Sequence, residues 1–269
     1  MSSASGLGSS APLFDDLAAD YDAHFQVPHR RLYDELAWER LESLLTPGGG
    51  LVVDAGCGVG RWSRKLLARG HKVIGIEQSL GMLDQLRRNP LGPGFTLVAG
   101  AMEDVTREDI VASDDPGADA VLAMGSLQYT RDPEAMVDRM ASWLRPGGLL
   151  MVLVDSLVGL VLELLGAGRQ EEALNRLSER RGVWRVGERA ASLHLLDRDR
   201  LVGMFLSARL VDVTAAGLLV SMAPLGRDGL FARADSDYNG LLYLERQLAG
   251  HTLLADAGKQ LLVTGRLGR

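Results

Sequence analysis

A single cysteine, Cys57, stands among the 269 residues. That excludes an internal disulfide framework and any zinc site built on cysteine ligands, and it fits a reducing cytoplasm. No apolar run reaches the ~20 residues that a membrane-spanning helix needs. The opening MSSASGLGSSAP lacks both the basic start and the apolar centre of a secretory signal. Residues 1–11 are expected to form a disordered leader. Positive charge is also short: 29 Lys and Arg against 35 Asp and Glu leave a formal net charge of −6. This balance speaks against a general nucleic-acid binder and leaves room only for a local basic patch. No internal repeat is present. The chain is 46% hydrophobic and 24% charged, a globular composition with enough length for one sizeable core and an appended cap.

Short apolar runs alternate with helical patterns. Residues 13–46 read as helix, with Phe14, Leu17, Tyr21 and Phe25, then Leu32, Leu36, Leu41, Leu44 and Leu45, at spacings of three to five. TPGGG ends that segment. LVVDAG, KVIGIE, FTLVAGAMED, ADAVLAMGSLQY and LLMVLVDS read as five buried strands. RWSRKLLARG, GMLDQLRRN and DPEAMVDRMASWL are the helices between them, the last opening on an Asp cap with proline in its first turn. The pattern predicts an α/β, doubly wound Rossmann-like sheet. After Ser156 two helices broken at Gly166, another helix, a strand, a helix and a final strand follow. The last two strands make the sheet seven-stranded. The boundaries expected are a helical lid over 12–48, a ligand-binding core over 49–156, a helical cap insertion over 157–196, and a part completing the sheet over 197–269.

The chemistry concentrates in VVDAGCGVGRWSRKLLARGHKVIGIEQS, residues 52–79. A phosphate-binding Walker loop needs Lys-Ser or Lys-Thr after the last glycine, and Gly60 is followed by Arg61-Trp62. A dinucleotide turn, G-x-G-x-x-G counted from Gly56, meets Arg61 at its sixth place. Asp54 lies two residues before Gly56, where it either accepts from a cationic ligand or braces the loop. Glu77 ends the second strand, where a carboxylate can take both hydroxyls of a ribose. AGAMED after the third strand supplies a purine-edge site.

The D-x-G-x-G-x-G turn, the acidic second strand end, GAMED and LRPGG occur in the order and spacing of the class I S-adenosylmethionine-dependent methyltransferases, which the chain resembles over roughly residues 12–269. The resemblance implies S-adenosyl-L-methionine as cofactor. It implies that Gly56, Cys57, Gly58 and Gly60 let the methionine part approach their backbone. Glu77 would hold the ribose and Gln78 would flank the adenine. Met102 would pack on the base with Ala101 beside it, and Glu103 would accept from the exocyclic amine. Met124 and Gly125 would border the sulfonium. A sulfonium is a cation, so Asp54 and backbone carbonyls suit it better than pyrophosphate. Met102 and Met124 read equally well as plain core residues.

FDDLAADYDAHF, LAWERLESLL, GAMEDV, LRPGGLLMVL and LLYLERQ are similar to the tRNA carboxymethoxyuridine methyltransferases. That group grips the donor carboxylate with an arginine on the N-terminal helix. The matching place falls near Tyr33, so Arg31 and Tyr33, with Tyr21, are expected on the donor, Arg30 lying close by. Methyl transfer is largely a matter of alignment, and a hydroxyl acceptor needs a base in reach. Tyr129, His24 and His29 are the catalytic candidates; Gln128 and Asp155 also follow strands that face the transferred methyl. No metal site is expected. Arg176, Arg180, Arg181, Arg185, Arg189, Arg198 and Arg200 cluster in sequence, but Glu171, Glu172, Glu179 and Glu188 interleave with them, as on a salt-bridged helix face. There is no aromatic interleaving of the kind that binds single strands. The segment from Leu157 to Leu165 would roof an apolar pocket or form a core or dimer-interface helix. The expectation is methyl transfer to oxygen or nitrogen of a small, partly apolar metabolite, as in natural-product biosynthesis. The alternatives are tRNA wobble-uridine carboxylate methylation and a non-catalytic donor-binding scaffold. The oligomeric state is left open.

Overall fold

The computed structural model describes residues 9–112 and 114–269; most of the expected leader, residues 1–8, lies outside them. In chain order the elements are α1 (Ala11–Leu17), α2 (Tyr21–His24), α3 (Pro28–Leu44), β1 (Leu51–Ala55), α4 (Arg61–Ala68), β2 (Lys72–Glu77), α5 (Leu80–Arg88), β3 (Phe95–Ala99), β4 (Ala118–Met124), α6 (Pro133–Ser142), β5 (Leu144–Asp155), α7 (Leu157–Gly166), α8 (Gln170–Glu179), β6 (Arg181–Val186), β7 (Arg189–His194), α9 (Arg198–Ser207), β8 (Leu210–Leu218), α10 (Met222–Ala249) and β9 (Gln260–Leu267).

Seven strands form one sheet in the order β3-β2-β1-β4-β5-β9-β8. The first five run parallel, and β9 is antiparallel to both its neighbours. The chain builds outward from β1 to β3 and then returns to lay β4 on the other side of β1. That reversal opens a crevice at the carboxyl ends of β1 and β4, where doubly wound sheets take their ligands. Residues alternate between two buried faces. Val53, Val121 and Val152 pack with Met136 of α6, Trp143 just after it and Phe205 of α9. Val52, Leu122 and Met151 pack with Leu32, Leu36, Leu66 and Leu230 from α3, α4 and α10. Burial on both faces explains why the central strands read as unbroken apolar runs. The Asp132 cap forms as expected, its side chain accepting from the N–H of Ala135 at 3.0 Å.

Three local expectations need correction. The N-terminal helical stretch is broken: a short 3-10 turn follows α1, and Pro28 opens α3, since proline suits a first helical position and has no N–H to continue an earlier helix. The insertion over 157–196 is helical only in its first half. Residues 181–194 form the hairpin β6–β7, paired from Arg181↔His194 to Val186↔Arg189. Gly187, at φ +56, takes the left-handed place in its two-residue turn. The arginines at 181, 185 and 189 therefore lie on strands and not on one helix face. Helical structure also precedes Asn239: α10 is interrupted by non-helical backbone at Gly226 (φ +67, ψ 171) and Asp237 (φ −155, ψ 75), so the helix expected from Asn239 follows the second break and an unexpected helical stretch lies before it.

Candidate active site

The turn between β1 and α4 is held from behind. The N–H groups of Gly56 and Cys57 both donate to the Ile76 carbonyl, at 2.9 and 3.0 Å. Gly56 has φ +81, and a Cβ there would come within 2.5 Å of the Ser126 Cβ. Gly58 turns its N–H to Glu77, donating to Oε2 at 2.9 Å. Gly60, with φ +82, has Leu86 and Leu91 where a Cβ would stand, and it does not line either cavity described below.

Glu77 organises the crevice. Its Oε1 accepts from the N–H of Gln78 at 2.8 Å and of Ser79 at 2.7 Å, while Oε2 takes Gly58. Burial pushes the carboxyl above its ordinary pKa, and the three backbone donors oppose that rise. Asp54 braces the loop: its Oδ2 accepts from Ser63 Oγ on α4 at 2.7 Å. It is only 2% exposed, and burial raises its pKa to about 6 against the bond from Ser63. Cys57 is buried and its thiol is pushed up by burial and by Asp54 and Glu77, so this residue offers its backbone and no nucleophile.

Two adjoining cavities open here. The smaller, about 60 Å³, is lined by Glu77, Gln78, Gly100, Met102 and Ile76. The larger, about 320 Å³, extends under the N-terminal helices and the hairpin. Gly56, Met124, Gly125, Tyr21 and Tyr129 border both. A Cβ on Gly125 (φ +89) or on Gly100 would meet nothing within 4 Å, so both glycines leave room for a ligand. Ala101 and Glu103 are not among the lining residues. Glu103 accepts from the N–H of Arg131 at 3.2 Å instead.

The lid is aromatic and cationic. Phe14 stands edge-on to Tyr129, centroids 5.3 Å apart, and to Trp184 of the hairpin at 5.6 Å. Tyr33 and Phe25 line the larger cavity as well. Burial pushes Tyr21 up to about 12, and raises Tyr33 and Tyr129 further. All three phenols stay protonated at neutral pH, so Tyr129 can donate a hydrogen bond but is no base. His29 is buried, stacks on Phe231 at 5.3 Å, and is lowered to about 4 by burial and by Arg30, Lys259 and Arg227. His24 is half-buried in the last turn of α2 and does not line the cavity. Arg31 points elsewhere, its guanidinium 5.0 Å from the Tyr238 ring centre. Arg30, Arg61 and Arg227 are the arginines that line the cavity. Gln128 and Asp155 clasp each other: Gln128 Nε2 donates to Asp155 Oδ2 at 3.0 Å, and the Asp155 N–H donates to Gln128 Oε1 at 2.7 Å. Phe14, Arg61, Trp184, Arg227, Lys259 and Gln260 are among the lining residues that sequence reasoning did not place. Only Arg61 carried a signal, sitting directly after the glycine turn. Among the described residues no cluster of His, Cys, Asp or Glu could hold a metal ion, and no helix is long and apolar enough to cross a membrane.

The strand order, the glycine turn and the acid at the end of β2 coincide with a family match: residues 52–148 match the family described as methyltransferase domain. This segment is a methyltransferase domain. The chain is 27% identical over 161 residues to the tRNA 5-carboxymethoxyuridine methyltransferase of Escherichia coli K12, covering 58% of this chain and 60% of that protein. It is 31% identical over 133 residues to a ubiquinone biosynthesis O-methyltransferase of Cupriavidus pinatubonensis, covering 49% and 51%. The alignments thus span less than two thirds of these curated relatives. The solved DhpI-SAM-HEP complex shares the fold of the methyltransferase domain and its surroundings, with a TM-score of 0.62 at 18% identity, over 98% of this chain and all of that one.

Proposed function

We propose that the protein is an S-adenosylmethionine-dependent methyltransferase acting on oxygen or nitrogen of a small, partly apolar acceptor. The observation that carries this reading is the shared border of the two cavities at Met124 and Gly125. A donor whose ribose reaches Glu77 in the smaller lobe would present its sulfonium end to the larger one.

The residues fit that donor. The Glu77 carboxylate is fixed by three N–H groups, which fill Oε1 and leave about one lone-pair site, on Oε2, for a ribose hydroxyl. Met102 offers an apolar face to the adenine. Arg61 replaces Arg31 as the clamp on the donor carboxylate. It begins α4 next to the glycine turn, its NH2 binds Asp34 at 3.0 Å, and its Nε is buried without a partner. Lys65 shares Asp34 at 2.6 Å, so two cations face one carboxylate and a second anion is welcome there. The donor brings an electrophilic methyl. The protein's task is to aim the acceptor at it and keep water out, and Phe14, Trp184 and Tyr129 wall the cavity for both. An ionised acceptor or a free amine needs no base. A hydroxyl would hand its proton to Asp155, the carboxylate that lines the larger cavity.

The tRNA reading has the E. coli relative in its favour, but the arginine cluster does not form a basic platform. Arg176 pairs with Glu172, Arg180 with Asp197, Arg189 with Asp16 and Arg200 with Glu134. Incubation with methyl-labelled donor and either bulk tRNA or a small-molecule extract tests the choice. Label in the small-molecule fraction supports the proposal; label in tRNA alone overturns it.

A further inference from the structure

The larger cavity has an end that methyl transfer does not require. Next to β5 the sheet continues with β9, whose first residue, Gln260, pairs with Asp155. Lys259 and Gln260 both line the cavity there, with His29 from α3 and Arg227 from α10. Two buried side-chain atoms at this end have no hydrogen-bond partner: Nδ1 of His29, which is 9% exposed, and Oε1 of Gln260, which is 7% exposed. Orphaned polar atoms are costly in a folded protein unless a ligand or water meets them.

Charge at this end is unbalanced. Lys259 Nζ contacts Glu163 Oε2 at 2.8 Å, and Arg227 lies 3.8 Å from the same carboxylate. Arg30 has no ion-pair partner among the described residues. It is framed by aromatic rings, its guanidinium 5.5 Å from the Phe25 centroid and 5.9 Å from that of Trp184. Three cations therefore face only Glu163 and Asp155. An arginine held among rings without an acid is poised for a planar oxyanion.

We propose that this end of the cavity is a recognition subsite for an oxyanion, a carboxylate or phosphonate-type group, carried by the acceptor and bound by Arg30, Lys259 and Arg227 with His29 and Gln260. The inference rests on the methyl-transfer reading for the statement that the ligand is the acceptor. Adjacent strands lie about 4.8 Å apart, so β9 stands roughly 10 Å from β4 and its Met124. The anionic group thus sits several bonds from the methylated atom, with the ring walls of Phe14, Trp184 and Tyr129 holding an apolar body between. Glu163 occupies Lys259 until the ligand arrives.

The test uses the full chain and four probes: S-adenosylhomocysteine, phenylacetate, phenylphosphonate and the uncharged phenylacetamide. Protein saturated with S-adenosylhomocysteine is titrated with each aromatic probe by calorimetry and by NMR of the His29 ring proton. One or both anions are expected to bind and shift His29, while the amide binds at least about tenfold more weakly, the worth of one charge-assisted hydrogen bond. Arg30→Met and Lys259→Met should each erase that preference and keep the S-adenosylhomocysteine affinity of the parent. Glu163→Gln should tighten anion binding by freeing Lys259, and it guards against a mere loss of folding in the other two. Which anion binds better distinguishes carboxylate from phosphonate. Equal binding of amide and anions, anions that bind without shifting His29, no anion binding, or an undiminished preference in both methionine variants would overturn the subsite. Failure of S-adenosylhomocysteine to bind the parent would instead sink the methyltransferase reading.

Discussion

Glu77→Gln keeps the side chain's shape and removes its charge, and the consequences for stability and for donor binding separate. If the amide oxygen keeps the N–H groups of Gln78 and Ser79, the new NH2 faces the N–H of Gly58, donor against donor. One orphaned buried N–H costs about 1–3 kcal/mol. Burial already disfavours the Glu77 charge, so neutralising it returns part of that cost. A net loss of about 1–2 kcal/mol is expected, a fall in Tm of a few degrees for a chain of this size. Donor binding should fall as well. One hydroxyl-to-carboxylate hydrogen bond becomes at most a neutral one, a loss of about 1–2 kcal/mol or ~5- to ~30-fold in affinity. Calorimetry with S-adenosylhomocysteine, beside a thermal melt of the same sample, reads both. A folded Glu77→Gln protein with parental affinity would refute the ribose assignment. Alanine is the poorer probe, because it strands three N–H groups and confuses loop collapse with loss of ligand contact.

The remaining predictions concern single groups. Arg61→Met should weaken S-adenosylhomocysteine binding about tenfold or more by removing a charge-assisted bond, with stability little changed because Lys65 still holds Asp34; unaltered affinity would send the clamp elsewhere. Asp54 has a folded pKa raised from 3.8 to about 6, so its contribution to stability is full below the unfolded pKa and is lost as pH rises through the folded one. Relative to the parent, Asp54→Asn should therefore gain up to roughly 3 kcal/mol between about pH 4 and pH 7, read from denaturant unfolding at each pH; a difference that stays flat with pH would contradict the burial argument. His29 has a folded pKa lowered to about 4, so the stability linked to its neutral ring is present above the ordinary histidine pKa and is lost as pH falls toward 4. Its ring should remain neutral by NMR at about pH 5.5. Tyr129→Phe should cost less than about tenfold in turnover, since a phenol that stays protonated can contribute only a hydrogen bond; a loss of several orders of magnitude would restore Tyr129 as a proton acceptor.

The sheet was legible because its central strands are buried on both faces. LVVDAG and KVIGIE can hardly be anything but strands, and their spacing around an eight-residue amphipathic helix implies the parallel crossover. The lobe holding Glu77 and Met102 was legible for the same reason: it follows directly from strand ends. The larger cavity was not. Its walls come from α1, α3, β5, the hairpin, α10 and β9, and no local pattern links Phe14 to Trp184 or His29 to Lys259. Arg30 and Arg31 are neighbours in sequence, and helix geometry alone turns one into the cavity and the other onto Tyr238. The hairpin is hard to read because Arg and Glu are interspersed through residues 171–189, as on a solvated helix; the alternation of Val183 and Arg185 with Trp184, ahead of Gly187, is the strand signal. Gly60 shows the converse hazard, since it completes a motif by spacing yet meets Leu86 and Leu91.

The central claim is that the crevice at the carboxyl ends of β1 and β4 holds a sulfonium donor through Glu77 and the glycine turn. Calorimetric titration of the purified chain with S-adenosylhomocysteine tests it most directly. One site of micromolar affinity is expected, weakened in Glu77→Gln and in Arg61→Met. Absence of binding, or binding indifferent to both substitutions, would contradict it.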